Sequence, residues 1–376
     1  MRAGDRRSQA ARIAGMSRPT TVSIDLGALR HNLARVRALA PASKVMAVVK
    51  ADGYGHGLER VARALADAEA FGVAALSDAE RLRAIGLRNR IVLLSGFDEA
   101  GDLELLRALD VDTVVHHDAQ LAMLEADARG SGEPIRVWLK FDTGMHRLGF
   151  DPERAAELRA RLRALPNVAA ELVAMTHFAS SDEFCGAQTV GQLQRFAGIA
   201  AVMGTPSSLS NSAGVLGWPD AHHDWVRAGG ALYGLSVVEG RCGADFGLRP
   251  VMKLSTRLIA VNRVARGEKV GYSATFECPE DMAVGVAAIG YGDGYPRSVP
   301  SGTPVLVNGE RVPLVGRVSM DLMTIDLRTL PGAKVGDEVT LWGPELPVEE
   351  IAAAAGTISY ELTCSITRRV RAVTTG

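Results

Sequence analysis

Lys44-Val45-Met46-Ala47-Val48-Val49-Lys50, followed at once by Ala51-Asp52-Gly53-Tyr54-Gly55-His56-Gly57, is the stretch whose reading decides the fold. An unbroken apolar core of five residues ending in a glycine-rich polar segment reads as a central parallel strand running into a loop. Lysine is seldom buried, and in α/β folds the end of such a strand is where chemistry is placed. A lysine desolvated there becomes a neutral amine able to form a Schiff base. On this strand alone, a lysine that snorkels to solvent is the stronger reading; the rest of the chain reverses the balance.

Outward from Lys50, strand candidates at 71–76, 90–95, 111–116, 134–142, 171–177, 207–211 and 225–230 make eight strands with 44–50. Amphipathic Ala/Leu/Arg-rich stretches, such as 78–85, 118–128, 152–165 and 189–203, lie between most of them, and Asp78, Asp118 and Asp151 are placed to cap or open helices. Eight strands alternating with helices predict an α/β fold, a (β/α)8 TIM-type barrel, rather than an open sheet. Beyond about residue 245 helical periodicity fades. Short β-rich runs at 251–264, 283–289, 303–307, 311–315 and 338–342 are split by turn signals such as Asn308-Gly309, with one helix expected at 348–355. The expected organisation is a disordered extension over 1–19, a barrel over 20–245 and a mostly-β C-terminal domain over 246–376. The strand at 20–25 pairs with the β domain, and Met16 is an alternative start.

The 376 residues carry a net charge of −1 with basic residues spread throughout, so nothing points to nucleic acid. No apolar run reaches transmembrane length. The four cysteines are far apart in no metal-ligand spacing, as expected of free thiols in a reducing cytoplasm.

Polar residues collect at the predicted strand ends: Lys50 and Tyr54, then Lys140, Asp142 and Arg147, then His177, then Asn211 and Ser212, then Arg227 and Gly229. In a barrel all of these converge on the face that carries the active site. A phosphate site fits the same rim: the Ser212 hydroxyl, the backbone at Gly229 and Gly230, and phenolic donors from Tyr54 and Tyr360. A Schiff-base lysine with a phosphate cradle in one barrel implies pyridoxal 5'-phosphate.

The chain resembles the alanine racemases, the fold-type III pyridoxal-phosphate enzymes. The match is carried by Ala47–Gly57 as quoted above, by Lys140-Phe141-Asp142-Thr143-Gly144-Met145-His146-Arg147-Leu148-Gly149, and by Thr176-His177-Phe178-Ala179. It continues through Ser210-Asn211-Ser212-Ala213, Arg227-Ala228-Gly229-Gly230, Val270-Gly271-Tyr272-Ser273-Ala274-Thr275, Gly290-Tyr291-Gly292-Asp293-Gly294-Tyr295, Gly316-Arg317-Val318-Ser319-Met320-Asp321 and Ile358-Ser359-Tyr360-Glu361.

The resemblance implies a homodimer with shared active sites that interconverts L- and D-alanine and supplies D-alanine for peptidoglycan. It implies that Lys50 carries the cofactor and acts as one base, opposed by Tyr272 from the other subunit. Arg227 would face the pyridine nitrogen; an arginine has no acceptor and keeps its proton, which leaves the ring a weaker electron sink. His177 would sit behind Arg227, Arg147 would contact the cofactor's phenolic oxygen and the substrate carboxylate, and Lys140 would be a carbamylation site that fixes Arg147. The backbone N–H of Met320, from the partner subunit, would help hold the carboxylate, with Tyr291, Tyr295 and Asp321 lining the substrate access corridor. Ala228 and Gly230 depart from the commoner family residues, as does Asp52, where many members have asparagine. A serine or broad-specificity racemase, a barrel-type decarboxylase and a non-catalytic pyridoxal-phosphate carrier are the alternatives; Arg227 argues against the decarboxylase, and Tyr272 with Met320 against the carrier.

Overall fold

The apolar runs form strands because each can be buried on both faces, and the computed structural model, which describes residues 18–127, 132–238 and 240–376, closes eight of them into a barrel. Of the extension expected over 1–19, residues 1–17 lie outside the described residues; Arg18 and Pro19 are described. Two compact units result, one formed by 25–251 and residue 376, the other by 18–24 with 252–375.

In the first unit the barrel strands are β2 (Lys44–Val48), β3 (Ala70–Val73), β4 (Arg90–Leu93), β5 (Val111–Val115), β6 (Ile135–Lys140), β7 (Val168–Met175), β8 (Ser207–Ser208) and β9 (Trp225–Ala228). All neighbours are parallel, and pairing of Lys44 with Trp225 and Met46 with Arg227 closes the ring. Met46, Ala70, Val92, Val114, Trp138, Val173, Met175 and Trp225 pack as one buried cluster. Helices α1 (Leu26–Leu39), α2 (Leu58–Ala64), α3 (Leu76–Ala84), α4 (Asp102–Ala108), α5 (Asp118–Ala126), α6 (Ala155–Arg163), α7 (Ala187–Met203) and α8 (Ser212–Gly217) alternate with the strands. Asp25 caps α1 by accepting from Ala28 N at 3.0 Å. Asp151 caps the 3-10 turn before α6 and Asp118 opens α5 as its first residue, while Asp78 stands in the first turn of α3 without capping it.

The second unit is an eight-stranded antiparallel sheet built around one long strand, β10 (Met252–Val264). A bulge between Leu258 and Ala260 bends β10. Its first half therefore pairs with β1 (Thr21–Asp25) and β17 (Glu338–Trp342), and its second half with β13 (Met282–Ala287). Strands β14 (Pro304–Val307), β15 (Glu310–Val315) and β16 (Met323–Asp326) complete the run, and β18 (Arg371–Thr375) flanks β1. Between β10 and β13 lies a short hairpin, β11 (Lys269–Val270) and β12 (Phe276–Glu277). The Asn308-Gly309 signal is the β14–β15 turn, both residues having positive φ as a two-residue hairpin of this twist requires. Helix α9 (Val348–Ala355) forms where the sequence predicts it; α10 (Ser359–Cys364), which carries Tyr360, is an addition. No helix among the described residues is long and apolar enough to cross a membrane.

Candidate functional site at the barrel mouth

Lys50 does not end a strand. Strand β2 stops at Val48, and Lys50 opens a single left-handed turn in which Ala51, Asp52, Gly53 and Tyr54 all have φ between 52° and 62°. Each non-glycine residue there costs about 1–2 kcal/mol, so the turn persists only because its surroundings hold it. Gly53 N donates to Val49 O at 2.9 Å, Gly55 N to Ala51 O at 3.0 Å and Gly57 N to Asp52 O at 2.8 Å. The Asp52 carboxylate accepts from Leu58 N at 3.1 Å and pairs with Arg81 at 2.7 Å. His56 is wholly buried beneath the turn, and Nδ1 lies 2.8 Å from Tyr54 O and 3.1 Å from Gly53 O. Both partners are carbonyls, so Nδ1 carries the proton; burial pushes the imidazole down to about 4 and keeps it neutral. Strain of this kind concentrates at functional sites, and it leaves Lys50 exposed at the mouth while Tyr54 turns inward.

Tyr54 is buried, stacked on Tyr233 at 4.8 Å, with its hydroxyl against the Gly229 α-carbon. A Cβ at Gly229 would meet that oxygen at 2.3 Å, so only glycine fits. Ser212 Oγ accepts from Gly229 N at 2.9 Å and Ala231 N at 3.1 Å. The Gly229 N–H is thus spent inside the protein, contrary to its expected use toward a phosphate. The Ser212 hydroxyl, having accepted twice, keeps its own proton to donate. Asn211 caps α8 through Gly214 N at 2.9 Å and accepts from Ser181 Oγ at 2.8 Å. Gly230 opens the next turn. Two hydroxyl donors over a side-chain-free backbone fit a phosphate.

Arg227, in β9, is 4% exposed and held by four contacts: Nη1 donates to Ser208 Oγ at 2.7 Å, and Nη2 to Thr176 O at 2.8 Å, Leu209 O at 3.1 Å and His177 Nδ1 at 3.2 Å. A guanidinium only donates, so His177 Nδ1 accepts. Burial, followed by the charges of Arg227, Lys140, Arg147 and Lys50, holds His177 well below its ordinary value, hence neutral. Burial alone brings Arg227 down to about 10, still charged at neutral pH.

Lys140 ends β6, is 6% exposed, and falls to about 8 through burial and then Arg227 and Arg147, with Asp142 opposing. Arg147 is exposed on the 141–150 loop. That loop is set by Asp142 Oδ1, which accepts from Gly144, Met145 and His146 N at 2.9, 3.1 and 3.0 Å. Its base is closed by Phe150 N to Lys140 O and Asp142 N to Phe150 O, both 2.9 Å.

The other predicted residues belong to the second unit. Tyr272 is 66% exposed on a turn where Ser273 and Ala274 have positive φ. Met320 is exposed at a turn whose carbonyl accepts from Gly292 N at 2.9 Å, and Tyr291 is part exposed beneath the Arg297 guanidinium at 5.6 Å. Asp321 pairs with Arg369 at 2.5 Å and Arg18 at 3.4 Å. Tyr360 is half-buried on α10. Tyr295 departs from its expected place in an access corridor: it is fully buried, stacked on Trp342 at 6.1 Å, and burial raises its phenol well above the ordinary value. It is a core residue of its unit. His56 enters the sequence reading only as part of a motif and Gln192 not at all; His56 bonds within its own turn, to Tyr54 O and Gly53 O, whereas the buried contacts of Gln192 reach Thr143, His177 and Ala179.

A barrel whose mouth gathers a lysine, two arginines and a hydroxyl-lined anion cradle defines an enzyme of the pyridoxal-phosphate class. Models of the alanine racemase N-terminal domain and C-terminal domain match residues 24–237 and 251–374. The chain is 57% identical over 347 residues to an alanine racemase of Nitrosococcus oceani, covering 92% of this chain and 97% of that one. It superposes with a TM-score of 0.92 and 45% identity on the biosynthetic alanine racemase of Pseudomonas aeruginosa, over 96% of this chain and 100% of that one. With a TM-score of 0.87 and 26% identity it matches the alanine racemase of Bartonella henselae with covalently bound pyridoxal phosphate, over 95% and 99%. The chain belongs to the alanine racemase family.

Proposed function

We propose that this protein interconverts L- and D-alanine with pyridoxal 5'-phosphate, supplying D-alanine for peptidoglycan in the cytoplasm. The observation that carries the reading is the pairing, within one barrel mouth, of Lys50 on its strained turn with the Tyr54–Gly229–Ser212 cradle. The cofactor, when bound, supplies an electron sink that weakens the substrate's α C–H bond. Lys50 would hold it, and Tyr54 and Ser212 would donate to its phosphate. Arg227, locked by its four contacts, offers a donor to the ring nitrogen and keeps its proton, and neutral His177 orients it. Arg147 presents a fork to the substrate carboxylate, aided by the backbone of Met320 of the partner subunit; Tyr291 and Asp321 are the proposed access-route residues.

Racemisation requires a proton to leave one face of the α-carbon and return on the other, and Lys50 Nζ and Tyr272 Oη of the partner subunit are the two carriers. A homodimer with shared sites follows, which the 66% exposure of Tyr272 supports. Lys140 is the proposed carbamylation site. Its depressed value leaves more of the neutral amine that reacts with carbon dioxide, and the resulting anion would sit among cations.

Assaying purified protein on alanine, serine and lysine, with and without pyridoxal phosphate, tests the whole reading. Rapid, cofactor-dependent turnover of alanine is expected; faster turnover of serine or lysine would shift the assignment to a broader racemase. Tyr272→Phe should lower turnover in both directions by about 10²–10⁴-fold, and an equal, mild loss for both enantiomers would remove Tyr272 from the chemistry.

A further inference from the structure

The loop that bears Arg147 and the segment that bears His177 are separate in sequence, and one amide ties them together. Gln192, on α7, is wholly buried. Its Oε1 accepts from Ala179 N at 2.9 Å, and its Nε2 donates to His177 O at 3.0 Å and to Thr143 Oγ1 at 3.1 Å. Thr143 Oγ1 lies 2.7 Å from Thr176 Oγ1, whose proton goes to Phe141 O at 3.0 Å, so Thr143 donates to Thr176. All three amide bonds are therefore directed, and rotating the amide by half a turn would break them. Gln188 and Arg195 stand on the same helical face, four residues before and three after. Gln188 Nε2 donates to Gly144 O at 3.2 Å and its Oε1 accepts from Ser180 Oγ at 2.6 Å; Arg195 Nη1 donates to Thr143 O at 2.7 Å. A single stripe of α7 thus grips residues 143–144 and 177–180, a few residues from Arg147 and at His177 itself.

We propose that Gln192 is a positioning residue for the active site, a clamp that sets Arg147 against the substrate carboxylate and His177 against Arg227. This rests on the function proposed above. A buried amide that only filled space would need no directed contacts to both segments, and an apolar side chain of the same length would serve.

Gln192→Met keeps length and volume and removes all three bonds. It should raise KM for L-alanine about tenfold, with kcat changed about twofold or less, because a misplaced guanidinium loses its fork on the carboxylate. In an Arg147→Lys background the same change should add less than about twofold, since both substitutions act on one contact. Amide hydrogen exchange of the cofactor-free protein should accelerate over 142–147 and 177–180 and nowhere else. Should Gln192→Met fail to fold, Thr143→Val, which deletes one hydroxyl at constant shape, must reproduce the KM effect in part. An unchanged KM with a lowered melting midpoint, or KM factors that multiply in the double variant, would overturn the proposal. Absence of alanine turnover by the unmodified protein would instead sink the functional reading, and the exchange data would still judge the clamp.

Discussion

The two ends of the barrel hold similar residues in opposite conditions. At the N-terminal ends of the strands, Asp112 is fully buried yet wholly satisfied: Arg90 Nε and Arg136 Nε each reach it at 2.5 Å, and Trp138 Nε1 at 2.9 Å. The Arg90 guanidinium lies 5.8 and 5.6 Å from the ring centroids of Trp138 and Trp225, which pack edge-to-face at 5.4 Å. At the C-terminal ends, the charges acting on Lys140 are three cations, Arg227, Arg147 and Lys50, against one anion, Asp142. One end closes its electrostatics within the protein and stabilises the fold. The other accumulates positive potential, which costs stability and attracts a phosphate and a carboxylate.

The comparison sharpens most at Lys50. Lys50→Ala should abolish the cofactor's visible absorption band and lower racemisation about 10³-fold or more, with little change in melting, since the side chain is exposed; a retained band would break the assignment of this end. Asp112→Ala should do the reverse. It leaves the Trp138 indole N–H unpaired and two arginines with only their outer partners, Arg136 with Asp110 and Arg90 with Glu171, costs about 3 kcal/mol in denaturant unfolding, and leaves KM of the folded protein unchanged; a kinetic defect without a stability loss would erase the distinction between the ends.

A smaller effect lies beneath the mouth. His56 is neutral when folded and titrates near 6.5 when unfolded, so between pH 6.5 and about 4 the unfolded state binds more protons and stability falls as the pH falls. The loss approaches about 3 kcal/mol at the acid end. His56→Asn, which retains a donor toward the two carbonyls, should flatten that slope in pH-dependent melting. The smallest effect is at Lys140: carbonate-containing buffer should stabilise the unmodified protein by about 1–2 kcal/mol relative to degassed buffer, and Lys140→Met should be indifferent to it.

Much of this was legible in the sequence. Apolar runs marked most of the strands because parallel strands are buried on both faces, the two-residue Ser207–Ser208 strand being the exception, and the polar residues that end them converge because a barrel turns every strand end toward one rim. Asn308-Gly309 was readable because the hairpin's twist demands positive φ at both positions. Three features were not. The left-handed turn after Val49 is unfavourable locally and is held by His56 and Arg81, which no local propensity reveals. Gly229 was read as a donor, whereas its N–H serves Ser212 and its missing Cβ serves Tyr54. Tyr295 sits in a motif with Tyr291, yet Tyr291 faces outward and Tyr295 stacks under Trp342.

By itself, then, the sequence determined the barrel, the β-rich second unit, the family and the candidates for the reactive groups, because these follow from periodicity, turn chemistry and ordered motifs. Only the tertiary structure decided how those groups are held. The Arg81 tie on the strained turn after Lys50, the four-point grip on Arg227 and the proposed Gln192 clamp depend on contacts between residues far apart in the chain, and buried polar groups can be satisfied there only once the strands have closed.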